Sequence, residues 1–75
     1  MLSVDQIRDA IKNACKQIDI SRIAVDVALR DQGLDSLDMF NIFLEIEKVT
    51  GRPIPDEHIE QLQSINAIQE YFAQG

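Results

Sequence analysis

The sequence predicts an all-α bundle of three main helices and one short one, with a long loop joining the first helix to the second. Three observations lead there. Apolar residues recur at helical spacing in the stretches 4–18, 37–49 and 65–72. The alternating run Ile23, Val25, Val27 and Leu29 would suggest a strand, but no second strand exists to pair with it. At 75 residues the chain has room for a single domain, 1–75. A chain of this size buries only about 60% of its unfolded surface, so the core is small and a deep, water-excluding active site is hard to build.

The first helix reads from Ser3 to Ile18. Ser3 and Gln6 fit a capping box, in which each side chain bonds the other's free backbone N–H. Val4, Ile7, Ile11, Ala14 and Ile18 form one core-facing stripe. Cys15 borders the stripe and reads as a partly buried, inert thiol.

Asp19 to Asp35 is a 17-residue connection, read as an extended loop pinned by Ile20, Val25 or Leu29. Loops of this length are uncommon in compact domains and usually have a job. Fully extended it reaches about 55 Å, whereas a 14-residue helix is only about 21 Å long. The loop can therefore run the length of the bundle, and the second helix need not be a hairpin partner of the first.

The second helix, Ser36 to Thr50, lies between Gly33 and Gly51 and contains neither Gly nor Pro. Asp35 is a favoured N-cap type, which puts Ser36 at or next to the first helical position. A phosphate joined to Ser36 would face free N–H groups and the positive end of the helix dipole, so Ser36 can carry a phosphodiester-linked group. Around the helix, Lys48, Asn41, Glu45 and Asp38 share a polar arc. Apolar residues fill about 220°, roughly twice what a surface helix needs. Glu47 lies within that apolar arc, so part of the arc must reach water. The arc divides into a core face of Ile42, Ile46, Met39 and Phe43 and an outer strip of Leu37, Phe40 and Leu44, rimmed by Asp38, Asn41 and Glu47. Either the long loop covers the strip, or the strip is a docking surface one turn from Ser36.

Beyond Gly51, Arg52-Pro53-Ile54-Pro55 is rigid and extended. Pro55 starts a short helix with Asp56 and Glu57 in its first turn, where they suit the dipole, and Ile59 and Leu62 are its core contacts. Ser64 caps a last helix with Ile65, Ile68 and Phe72 on one face and Ala67 and Tyr71 beside it. His58, the one histidine, reads as a solvated surface residue.

The net charge is −6, unevenly spread. Residues 1–30 hold four acids and five bases, residues 31–75 nine acids and only Lys48 and Arg52. The acidic half contains Ser36; its field repels nucleic acid and steers basic partners. A lone cysteine excludes an internal disulfide framework and no Cys/His cluster suggests a metal, which points to the reducing cytoplasm. No apolar segment is long enough for stable membrane insertion, and the basic-then-apolar pattern of a signal peptide is missing. Hydrolase chemistry would need Ser36 and His58 to meet, and Ser36 lacks the Gly-x-Ser-x-Gly elbow. A calcium loop from Asp31 would need Gly at Ser36 and Glu at Ile42, and there is no P-loop or dinucleotide fingerprint. The expectation is a non-enzyme that other enzymes modify and handle.

Leu29-Arg30-Asp31-Gln32-Gly33-Leu34-Asp35-Ser36-Leu37-Asp38 resembles the attachment motif of acyl carrier proteins, whose core is Gly-x-Asp-Ser-Leu. The likeness spans most of the chain and includes the Ile54-Pro55-Asp56 step. It implies an acyl-carrier-like bundle acting as a monomer, with 4′-phosphopantetheine placed on Ser36 from coenzyme A by a phosphopantetheinyl transferase. The arm's thiol would carry acyl intermediates as thioesters to loading and processing enzymes with basic docking patches, in fatty-acid, polyketide or related lipid biosynthesis. Asp35, Leu37 and Asp38 match family positions used in recognition. Phe40, Asn41, Leu44, Glu45, Glu47 and Lys48 complete the expected partner face. Gln32, Phe40, Asn41, Phe43, Lys48 and Thr50 depart from the usual family pattern, which suggests a specialised stand-alone carrier. Two alternatives stay open: an aminoacyl or D-alanyl type of carrier, and an unmodified helical interaction module docking through the second helix.

Overall fold

The computed structural model describes residues 2–73. Three α-helices, α1 (Val4–Ala14), α2 (Ser36–Thr50) and α3 (Ile65–Ala73), are joined by segments that contain 3₁₀ helices at Ile20–Arg22, Leu29–Gln32 and Asp56–Gln61. No strand occurs among the described residues. The body measures 29 × 23 × 21 Å.

The starts of α1 and α2 are set by the same device. At α1, the Ser3 hydroxyl accepts from Gln6 N–H (3.1 Å) and the Gln6 side chain accepts from Ser3 N–H (2.8 Å). At α2, Asp35 accepts from Asp38 N–H (2.9 Å) and Asp38 accepts from Asp35 N–H (3.2 Å). Each box gives two orphan donors a partner. At its far end α2 stops on Gly51, whose φ of 69° is left-handed and whose N–H bonds Glu47 O. Only glycine takes that conformation without steric cost. At α3, the Ser64 hydroxyl accepts from Ala67 N–H (3.1 Å).

The end of α1 differs from the sequence reading, which carried the helix to Ile18. The helix stops at Ala14, and Cys15 leaves helical geometry at φ −129°, ψ 78°. A turn follows, closed by Ile18 N–H on Cys15 O at 3.1 Å. Ile18 still packs against the core, but through this turn.

The connection is more structured than the expected extended loop. Asp19 accepts from Ser21 N–H and from the Ser21 hydroxyl, folding the first 3₁₀ turn. Gln32 acts as a staple: its amide oxygen accepts from Ala24 N–H (2.7 Å), and its nitrogen donates to Ala24 O and Val27 O. Backbone bonds from Leu29 N–H to Gln63 O (2.7 Å) and from Asn66 N–H to Val25 O (3.0 Å) tie the connection to the last third of the chain. Leu29 is fully buried, as expected of a pin. Ile23 is buried too, whereas Ile20 and Val25 are only partly covered.

The core gathers Ile7 and Ile11 from α1, Met39, Ile42, Phe43 and Ile46 from α2, and Ile65, Ile68 and Phe72 from α3, closed by Leu29 and Leu62. Burying one such aliphatic side chain contributes about 1.5–3 kcal/mol. Among the described residues no polar or charged side chain is buried. His58, expected in solvent, is half-buried: its Nδ1 lies 2.7 Å from the Tyr71 hydroxyl, and the rings meet edge to face.

Candidate functional site

α2 is the central element of the site, and its two apolar faces separate as the periodicity requires. Met39, Ile42, Phe43 and Ile46 are buried, and Leu37 (67%), Phe40 (57%) and Leu44 (41%) are exposed. The long connection does not cover this strip. Nor does the polar arc uniformly face water: Asn41 and Glu45 are half-buried, Lys48 exposed. Lys48 lies 3.5 Å from Glu45, three residues before it. The Glu47 carboxylate is committed inward, accepting from Ile54 N–H at 2.6 Å, and so holds the Pro53-Ile54-Pro55 segment against α2.

Ser36 is the first residue of α2 and is exposed. The Asp35–Asp38 box closes without using its hydroxyl. Since the box takes Asp38 N–H, the N–H groups of Ser36 and Leu37 are the helix-start donors left without an intrahelical acceptor. Ser36 also borders a cleft of about 230 Å³, open to solvent and lined by Arg30, Met39, Phe40, Phe43, Ile59 and Gln63 besides Ser36 itself. Gln63 joins two walls of this cleft, its carbonyl accepting from Leu29 N–H and its side chain donating to Ile59 O (2.9 Å).

Arg30, Ile59 and Gln63 escaped the reading of the sequence as site residues. They come from two segments far apart in the chain, tied together by the backbone bonds from Leu29 N–H to Gln63 O and from Asn66 N–H to Val25 O. The signal for Arg30 was its sign: it is a cation six residues before a serine flanked by acids.

Two further hollows lie elsewhere. One of about 590 Å³ borders Cys15, Gly33 and Asp38, and one of about 270 Å³ lies between Leu2, Val49, Arg52 and Phe72. Neither includes Ser36. At the first, burial pushes the Cys15 thiol up to about 11, helped by the negative charge of Asp38, so the thiol stays protonated and inert at neutral pH. His58 lines none of these hollows.

The geometry is therefore that of a scaffold presenting a hydroxyl at the capped end of its central helix, next to an apolar strip and a shallow cleft. The family model described as phosphopantetheine attachment site matches residues 5–72, and the chain belongs to that family, the carriers of the acyl carrier protein type. Such a domain is the site of covalent 4′-phosphopantetheine attachment. The residues present fit that group: an exposed hydroxyl, unpaired helix-start N–H donors for a phosphate, and an open cleft beside them. Carriers of this family are typically non-catalytic, and they interact in general with a phosphopantetheinyl transferase and with acyl-handling enzymes. Among the described residues no helix is long and apolar enough to cross a membrane.

Proposed function

We propose that this chain is a stand-alone carrier whose arm is attached to Ser36 and which presents acyl groups to biosynthetic enzymes through the outer face of α2. The observation that carries the reading is the position of Ser36. Its hydroxyl is the solvent-exposed nucleophile of the first turn of α2, free of the capping box and within the stretch matched to the family. In the attachment step Ser36 Oγ forms a new bond to the phosphorus that carries pantetheine in coenzyme A. The bond from that phosphorus to the bridging oxygen of the diphosphate breaks, the adenosine bisphosphate leaves with that oxygen, and the serine proton passes to a base of the transferase. When bound, the group supplies a terminal thiol that holds an acyl chain as a thioester.

This chain's own residues supply placement and recognition. The Asp35–Asp38 box holds the start of α2 rigid, which fixes the direction in which Ser36 points. Leu37, Phe40 and Leu44 form the apolar part of the partner contact, and Asp35, Asp38 and Glu45 its negative part. Such contacts are salt-sensitive and individually weak, which suits a shuttle that must dock and leave. Asn41 and Lys48 moderate that negative field and give the face a charge pattern of its own, while Glu47 works chiefly from within by holding Ile54. Phe43, buried with its ring at the cleft, limits the room for a long chain inside the bundle. Short cargo, acyl or aminoacyl, fits this geometry better than a long fatty chain drawn into the core.

The test is intact-mass measurement after incubation with coenzyme A and a broad-specificity transferase. A gain of one phosphopantetheine, lost in Ser36→Ala, is the expected result. No gain with several transferases would argue for an unmodified docking module. The cargo limit is tested by melting the protein loaded with short and long acyl chains. A stabilisation that grows with chain length would contradict it.

A further inference from the structure

We propose that Arg30 holds the phosphodiester of the arm, as a positioning residue that lays the start of the arm along the cleft. The inference rests on Ser36 being the attachment residue. Arg30 sits exposed on the Leu29–Gln32 3₁₀ helix and lines the same cleft as Ser36. Its charge is uncommitted. Among the described residues Arg22 and Lys48 face carboxylates, and His58 lies 3.8 Å from Glu57. Arg8 donates to the Ile20 carbonyl and Arg52 lies over the Phe72 ring, whereas Arg30 has no such partner.

The rest of the neighbourhood has the opposite sign. Asp31, Asp35 and Asp38 lie within five residues of Ser36 in the chain. A phosphodiester on Ser36 adds another negative charge to this group, and like charges brought together are unfavourable. The helix start offsets part of that through the N–H groups of Ser36 and Leu37. Arg30 is the cationic side chain of the cleft, and its planar fork matches two oxygens of one phosphate. Held there, the arm begins over Met39, Phe40 and Phe43 and is biased toward the apolar strip that receives the partner.

The test uses wild type, Arg30→Gln and Arg30→Lys, each prepared without and with the arm, with its place on Ser36 checked by mass. The readouts are the phosphorus NMR resonance of the arm and the change in Tm on adding the arm, at low and high salt. Comparing each variant with its own unmodified form removes any effect of the substitution on the bundle itself. At low salt the Tm change on adding the arm should be less favourable in Arg30→Gln by about 2–4 °C. That gap should close at high salt and be partly restored in Arg30→Lys, and the phosphorus resonance should move in Arg30→Gln. An unmoved resonance with equal Tm changes overturns the inference. An arm that does not join Ser36 overturns the functional reading as well. An arm present on Ser36 but indifferent to Arg30 overturns this inference alone.

Discussion

The two faces of α2 are made of the same kind of residue and do different work. Met39, Ile42, Phe43 and Ile46 point inward and are at most 6% exposed, whereas Leu37, Phe40 and Leu44 point outward and are at least 41% exposed. Hydrophobicity alone does not distinguish them; their angular position does. The inner face contributes to folding free energy. The outer face leaves apolar surface in water, where it contributes little to folding and, under the proposed function, is open to a docking partner.

The sharpest way to break this contrast is to truncate each face. Ile42→Ala should destabilise by about 2–5 kcal/mol, from lost burial and the cavity left behind, seen as a large drop in the urea midpoint. Phe40→Ala should change stability by less than about 1 kcal/mol while weakening transfer to or from partner enzymes. Equal costs at the two positions would mean that the outer strip is packed and the division is wrong.

Cys15 tests the inner side of the first turn of α2, where its sulfur lies 3.9 Å from Asp38 O. In the folded protein the thiol keeps its proton up to about pH 11, whereas an unfolded cysteine loses it near pH 8.5. Between those values the unfolded chain binds fewer protons than the folded one, so stability falls as pH rises through that window. Urea melts from neutral to alkaline pH should show the fall in wild type, and Cys15→Ser should flatten it. A wild-type profile as flat as that of the variant would mean that the thiol is not shielded.

A smaller effect belongs to the rim between the faces. Asp35→Ala removes the N-cap of α2 and should cost about 1 kcal/mol. Because the cap also directs Ser36, the rate of arm attachment should fall along with the melting temperature. A variant melting lower but modified at the wild-type rate would separate capping from presentation.

How much of this was legible in the sequence follows from how local each signal is. α2 was readable end to end because Asp35 and Gly51 mark it within its own segment, and the periodicity inside it divides the faces. The end of α1 was not, because Cys15 carries no stop signal and the apolar spacing continues through Ile18 across a turn. The first 3₁₀ turn of the connection is closed locally by Asp19 on Ser21, but the stretch between the two turns is held by Gln32 reaching back to Ala24 and Val27, a contact no local pattern announces. The same holds for the His58–Tyr71 pair, which joins residues thirteen apart. Ser36 stands out in the sequence as a candidate from its helix start and its motif, and the structure leaves it exposed at the first position of α2. The cleft beside it was not legible, since its walls come from segments far apart in the chain that meet through bonds such as Leu29 N–H to Gln63 O.

The proposed carrier role turns on Ser36, at the outer edge of α2, bearing the arm. Peptide mass mapping of the modified protein, with fragmentation that ejects pantetheine, tests it most directly. The account predicts the arm on the peptide containing Ser36 and on no other. An arm found on Ser3, Ser21, Ser64 or Thr50, or a Ser36→Ala protein that still gains one, would contradict it.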